Sequence, residues 1–577
     1  MKKSIKSLSL SLFILLIAQI GFSAEAVSLE GKVKEHVLDN GLRIVVVERH
    51  FAPVFFALTS FRVGSSQEQP DRSGLSHYLE HMLFKGTKSI GTTNFEAEVP
   101  IMNELEVAAD DLKNMQMRIG QWRLDYFEEY ARRIKAEFTP EIRQEIGADE
   151  AAAWRKTLEL APVNSAELPD SMKNMIGLTS EMGTDYWEMY RTILEDRARL
   201  IDLTNVQREY IIPAHLDGIY DQNGAKMVNA FTSYDQTTYM VSLPSNCLEL
   251  FMYLESDRYV DPIFREFYSE KEVILEEKRQ RGANPGAKLY EAFLGTAFTA
   301  HPYGRPIIGW MSDIQLTNRT DMEEHFKRYY APNNCQITMV GAVDAEEVFK
   351  LADEYFKDWK ASEIAHEVTT IEPEQKGERR VTVEHDAEPQ LIIGYHIPVA
   401  PHPDSYALTI IQDILATGKT SRFYKSIYLE KGLTHSPPDA DTSPADRYPN
   451  MLTISAAPKA PHTNEEVEEA ILAELERLKN EPVSDRELER IHNRQKMNQV
   501  SRLSSNGWLA HSLSGYFVNR GDWRFINEDF ERMMEVTPAD IQRVAEKYLT
   551  AQNRTVAVLV KPEVKITADD NEMGDQQ

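Results

Sequence analysis

Five consecutive residues, His77-Tyr78-Leu79-Glu80-His81, carry the sharpest chemical pattern in the chain. On a helix, residues i and i+4 stand one above the other, so both imidazoles can present a nitrogen to one Zn²⁺ at about 2.0–2.1 Å. Glu80 lies beside them, where a carboxylate can take a proton from a metal-activated water and later return it to a leaving amine. The metal lowers the pKa of that water to about 7, so a nucleophile is available at neutral pH. The alternative is two histidines closing an apolar helix face, but such a face would rarely also place a carboxylate beside them. A hydrolytic zinc site needs a third protein ligand and one open position, which these five residues do not supply.

The elements that must position the pattern follow from periodicity. Ser73 to Phe84 reads as a helix, preceded by strand-like runs at Leu42–Val47 and Phe55–Val63. Asp39-Asn40-Gly41, between apolar runs, is a hairpin signal, since Asn and Gly both tolerate positive φ. A similar succession returns at Val381–Val383, Leu391–His396 and a helix from about Asp404 to Ala416. Asp321, Tyr329 and Asn334, ahead of the strand Ile337–Val340, match Asp540, Tyr548 and Asn553, ahead of Val556–Val560, at one offset of 219 residues. This predicts an α+β chain built by internal duplication of a sheet-plus-helices unit. From about Phe95 to Tyr220 the first copy carries helical spacing without strand signals, so a long helical insertion is expected there. Lys360–Lys376, with Pro373 and no apolar periodicity, reads as the linker. The expected domains are thus 27–359, with the insertion, and 377–565.

Composition limits the rest. With 64 Lys and Arg against 91 Asp and Glu, the formal net charge is −27, which argues against nucleic acid, whose phosphates need clustered cations. The two cysteines, Cys247 and Cys335, are too few for a disulfide framework or a cysteine metal cluster. Lys2, Lys3 and Lys6, the apolar run Leu8–Phe22 and the small residues Ala24 and Ala26 read as a signal peptide, 1–26. Export is expected, to the periplasm in a Gram-negative cell and otherwise outside the cell, with no membrane span in the mature chain. The segment from Thr567 is acidic and polar, and a disordered tail is expected over 566–577. Gly418-Lys419-Thr420 is no phosphate loop, because Asp413 stands where the loop needs glycine; Asn318-Arg319-Thr320 fits a glycosylation acceptor, a common chance pattern.

Ser73 to Thr87, SGLSHYLEHMLFKGT, resembles the signature of the insulinase/pitrilysin family of inverted-zincin metallopeptidases, in particular its processing-peptidase-like branch. The resemblance extends over most of the chain apart from the insertion. It implies a third ligand on a later helix, preceded seven residues earlier by another glutamate. Glu270 to Glu277 matches, which implies Glu277 as ligand and Glu270 as a supporting carboxylate. Seven residues is about two turns, so both fall on one face. The 195 residues between His81 and Glu277 exceed the usual family spacing, and the insertion accounts for the excess. Since closure free energy grows only with the logarithm of loop length, the insertion need not disturb the site.

Val228 to Ser233 is similar to the family's edge strand, on which a substrate peptide adds as a further strand, with Asn229, Ala230, Phe231 and Thr232 as the binding residues. In the second half the family often places an arginine and a tyrosine seven residues apart, whereas Tyr428 and His435 stand at those positions. The resemblance implies one Zn²⁺ per chain, held by His77, His81 and Glu277, with Glu80 as general base and then acid. It also implies peptides or unfolded segments as substrates, and a chamber of four such domains. A two-domain chain would then form a homodimer, or a heterodimer with a related chain lacking the zinc motif. The rival expectation is a non-catalytic assembly subunit.

Overall fold

The computed structural model describes residues 29–175, 186–363 and 367–562; the expected signal segment and acidic tail lie outside the described residues. The first sheet contains β1 (Lys34–Val37), β2 (Arg43–Glu48), β3 (Val54–Phe61), β4 (Lys226–Thr232), β5 (Thr237–Pro244) and β6 (Cys335–Gly341), in the order β1-β2-β6-β3-β5-β4. The second contains β7 (Arg379–Glu384), β8 (Gln390–Ile397), β9 (Asp439–Ser443), β10 (Asn450–Ala456) and β11 (Arg554–Val560), in the order β7-β11-β8-β10-β9. The wiring repeats. In each sheet the first strand of the repeat pairs in parallel with the last, β2 with β6 and β7 with β11, and the remaining pairs are antiparallel. Among the described residues only β1 has no counterpart, added to the first sheet through its hairpin with β2.

The offset of 219 has a physical basis. Asn318 and Asp321 cap the helix Arg319–Tyr329 reciprocally, and Thr537 and Asp540 cap Pro538–Tyr548 in the same way. Beyond each helix, Asn334 Nδ2 donates to Tyr329 O, and Asn553 Nδ2 to Tyr548 O, both at 2.9 Å. Asn318 is buried and also donates to Asp110 at 2.6 Å, so its amide is committed to the fold rather than offered for glycosylation. In the β1–β2 hairpin only Gly41 has positive φ, +91°, contrary to the expectation for an Asn-Gly pair. A Cβ at Gly41 would stand 2.8 Å from that of Asn333, while Asn40 bonds instead to the carbonyls of Phe356 and Trp359.

Helix α1 (Leu75–Met82) follows β3. The insertion contains α2 (Phe95–Ile119), α3 (Gln121–Ala136), α4 (Glu150–Leu160) and α5 (Tyr186–Arg208), with a separate core around Phe127, Trp187, Tyr190 and Leu194. Its base is closed by a bridge between Thr92 and Ile211. Later come α6 (Phe267–Ala283) and α7 (Pro285–Ala297), and in the second half α8 (Asp485–Ser504) and α9 (Asn506–Arg520).

The halves exchange helices. Leu289, Phe293 and Leu294 of α7 pack on Val383, Met451 and Leu559 of the second sheet. Leu509, Ala510 and Leu513 of α9 pack on Val45, Phe56, Leu58 and Val340 of the first. A fully buried Leu or Phe side chain contributes about 1.5–3 kcal/mol, so the two halves share core energy. The stretch read as a linker forms neither helix nor strand where described, yet it is held down: Glu372 accepts from the amides of Thr299, Ala300 and His301 at 2.9–3.0 Å. Cys247 and Cys335 are buried and unbonded to one another.

Candidate metal centre

Helix α1 is fixed at its start by contacts that only glycine permits. Gly74 has φ +92°, and a Cβ there would lie 2.4 Å from Ile308 O. The helix lacks a side-chain cap from its own N-cap residue. Glu68 takes that role: its carboxylate oxygens accept from Gly74 N at 2.7 Å and Ser76 N at 2.6 Å. Burial pushes the Glu68 carboxyl up to about 8, opposed by those two amide bonds. Leu75, Tyr78, Leu79 and Met82 are buried in the core that α1 shares with the sheet and α6, Tyr78 stacking on Phe267 of α6, while His77 and His81 face Glu277 of α6.

From α6, Glu277 meets them. Its Oε2 lies 3.7 Å from His77 Nε2 and 3.9 Å from His81 Nε2. The other oxygen, Oε1, accepts from Arg281 at 2.6 and 3.0 Å. Ligand atoms from His77, His81 and Glu277 all lie within 4.8 Å of one another. Two ligands of one tetrahedral zinc stand about 3.3 Å apart, so the Nε2 to Oε2 separations, too long for hydrogen bonds, suit a shared ion. Two imidazoles and a carboxylate are also the chemistry zinc accepts in hydrolytic sites.

Surrounding groups prepare the donors. Glu270 Oε1 lies 2.9 Å from His81 Nδ1, which makes Nδ1 the donor and leaves the Nε2 lone pair toward Glu277. Glu270 Oε2 pairs with Lys85 Nζ at 2.6 Å. Burial raises the Glu270 carboxyl, but its bonds to His81 and Lys85 outweigh that and hold it at about 2. Burial, aided by the His81 charge, brings His77 down to about 4, so it is a neutral donor at pH 7. For His81 burial acts downward, yet Glu270, Glu80 and Glu277 win and raise it. His77 Nδ1 is buried with no hydrogen-bond partner among the described residues. A ring held neutral by burial and aimed through Nε2 at the cluster fits a metal ligand.

Glu80 stands at the junction of this cluster and the sheet edge. Its Oε2 accepts from Thr232 Oγ1 at 2.6 Å. Burial raises its carboxyl, with the Thr232 bond opposing. A cleft of about 400 Å³, lined by Glu80, His81, Lys85, His215, Asp217 and Ala230 among others, opens beside it. Among the described residues, the non-glycine residues with left-handed backbone are Ala214, Met227 and Glu266. Two line this cleft and the third lies on β4, a concentration of strain typical of sites where the chain is shaped for a ligand.

β4 forms one edge of the six-stranded sheet. Of the four residues expected to bind peptide there, Thr232 has its hydroxyl on Glu80, and Asn229 Oδ1 accepts from Ala230 N at 2.9 Å. A register shift between Lys226 and Asn229 interrupts the β4–β5 ladder. In the second half, Tyr428 packs on Tyr424 and Arg422 pairs with Glu487 at 3.2 Å.

With this geometry established, two family profiles match the chain. The insulinase profile, peptidase family M16, covers residues 43–109, and the profile described as the peptidase M16 inactive domain covers 317–495. Both matched stretches are similar to the insulinase family. A zinc protease of Helicobacter pylori named PqqE is 28% identical over 341 residues, 58% of this chain and 76% of that one. The Bacillus subtilis uncharacterized zinc protease YmxG is 24% identical over 289 residues, 50% and 69% of the two chains. The crystal structure of a protease from H. pylori superposes with a TM-score of 0.67 at 22% identity, covering 92% of this chain and 99% of that one. The periplasmic protease PqqL of Escherichia coli superposes at 0.59 and 16%, covering 95% of this chain and 50% of PqqL.

Two groups that shape this site carry no motif in the sequence. Glu68 had a faint signal, an acid ahead of a helix whose N-cap is glycine. The second is an ion pair between Arg265 and Glu98, both fully buried. Arg265 donates to Glu98 at 3.2 Å and to the carbonyls of Lys85, Thr87 and Ile90 at 2.6–2.9 Å. Gln207, on α5, also donates to Glu98. One guanidinium thus ties the loop after α1, the start of α6 and both ends of the insertion together. No local pattern marks such a pair.

Proposed function

We propose that this protein is a zinc-dependent metalloendopeptidase that hydrolyses peptides or unfolded protein segments. The observation carrying this reading is the convergence of His77, His81 and Glu277 with Glu80 at their side, next to the free edge of β4. These three residues would hold one Zn²⁺ per chain, with the cleft side open. Bound there, the ion would supply Lewis acidity, polarising the scissile carbonyl and making a water acidic enough to attack at neutral pH. An extended peptide pairs with the backbone of Asn229 to Thr232, which sets its scissile bond beside Glu80. Glu80 then takes the proton from the attacking water and delivers it to the leaving amine. Thr232 holds the Glu80 carboxylate in orientation, and Glu270 keeps His81 in the tautomer with Nε2 free.

PqqL, which contains this fold in half its length, supports a working assembly of two such chains, identical or related. The basic and apolar N-terminal segment, together with the likeness to a periplasmic protease, supports export to a periplasm or beyond; among the described residues no helix is long and apolar enough to cross a membrane. The test is metal content together with cleavage of a quenched peptide. The expected result is about one zinc per chain and cleavage that a chelator stops and zinc restores. A zinc-free protein that cuts nothing, alone or mixed with a related chain, would instead be a non-catalytic assembly subunit.

A further inference from the structure

The two faces of the first sheet differ at its β4 edge. Ala230 and Thr232 pair with Tyr239 and Thr237, and Ala230 packs with Tyr239 in the core beneath α1. Asn229 and Phe231 pair with Met240 and Thr238, and Met240 belongs to the core beneath α9 of the second half. Side chains therefore alternate between the metal face and the α9 face. On the α9 face, the ring of His511 lies 6.2 Å from that of Phe231 and 6.0 Å from that of Phe56. Trp508, one helical turn before His511, lies 6.4 Å from it and is 65% exposed. The neighbours Leu509, Ala510 and Leu513 are buried, which fixes the rotation of α9 and leaves the indole exposed beside His511.

A strand added to β4 would run about 4.8 Å beyond it, and every second side chain would turn toward this ledge. We propose that Trp508 and His511 of the second half form, with Phe231, a subsite for aromatic or large apolar side chains at alternate positions of the substrate. The ledge is the outer face of the strand that ends the first sheet, so its occupant is the peptide that pairs with that edge. Three adjoining rings offer offset or edge-to-face contact to an incoming ring, and no carboxylate among them to hold a cation. The inference rests on the peptidase reading and says what the second half adds to it: half of the specificity.

The test uses zinc-loaded Glu80→Gln protein and fluorescein-labelled nonapeptides identical except for Phe or Ser at odd or at even positions. Equilibrium binding should show one Phe frame about five-fold tighter than the all-Ser peptide. Trp508→Ala should erase that gain, Trp508→Phe should restore most of it, and the other frame should respond to neither. Equal binding of both frames, or an equal loss of both in Trp508→Ala, overturns the proposal. So does a change in the sedimentation of peptide-free Trp508→Ala, which would make the ledge a contact between copies. Cleavage of the same peptides by the wild type reports separately: Trp508-dependent binding without cleavage keeps the subsite and removes the peptidase, whereas cleavage indifferent to Trp508 does the reverse.

Discussion

In the proposed zinc site, His81 is the residue on which metal binding and proton binding would compete. Glu270, Glu80 and Glu277 raise its pKa above the ordinary 6.5, and a proton on Nε2 must leave before a metal takes that lone pair. Zinc affinity should therefore rise with pH up to the raised value and level off above it. Below it, affinity falls about tenfold per pH unit for this one proton; titration with a fluorescent zinc competitor from pH 5 to 9 checks this. His77 contributes no step in that range, since burial already holds it near 4. In that proposal Glu270 would act through His81, which it contacts, and not on the substrate. Glu270→Ala should weaken zinc binding about 10–100-fold and lower the pH at which affinity levels off, a shift that loss of packing alone would not produce. Thr232→Val should leave zinc affinity unchanged and reduce kcat more than KM, because the hydroxyl orients Glu80.

At the scale of elements, the sequence showed the chemistry more clearly than the supports. Helix α1 was legible because i, i+4 histidines and a neighbouring acid are local; Glu270 and Glu277 of α6 were legible only through the resemblance to the insulinase family, since an acidic helix by itself reads as a solvated face. The helical character of the insertion was equally local. How it attaches was not, since Arg265 and Glu98 lie 167 residues apart and meet only in the fold. Removing one member of a buried pair leaves an unpaired charge and costs about 3–5 kcal/mol. Glu98→Ala should lower the urea midpoint accordingly, and because Arg265 also holds the loop after α1, its zinc should dissociate faster at concentrations of urea where the protein is still folded. The hairpin shows the opposite limit. An Asn-Gly pair announced a turn, but Asn40 is held by carbonyls from 316 and 319 residues away, so only Gly41 takes positive φ.

For the whole molecule, the duplication was readable as an offset of 219 residues because the matched residues cap helices and pin turns in both halves. The helix exchange was not readable: an apolar face on α7 or α9 has the same period whichever sheet it covers. Its consequence is mutual dependence. Phe293→Ala on α7 and Leu513→Ala on α9 each remove a buried side chain from the other half's sheet, and each should cost about 2–5 kcal/mol. Both should shift one common urea transition, seen alike by circular dichroism and tryptophan fluorescence, rather than split it in two. That frame holds the helices carrying His77, His81 and Glu277 against β4, and the proposed peptide hydrolysis there would turn on Glu80. Bound zinc and peptide cleavage should be measured side by side for the wild type and Glu80→Gln. A general base at Glu80 predicts equal zinc in both and a loss of cleavage of at least about 10²-fold in the variant; a variant that keeps its zinc and cuts as fast as the wild type would contradict it.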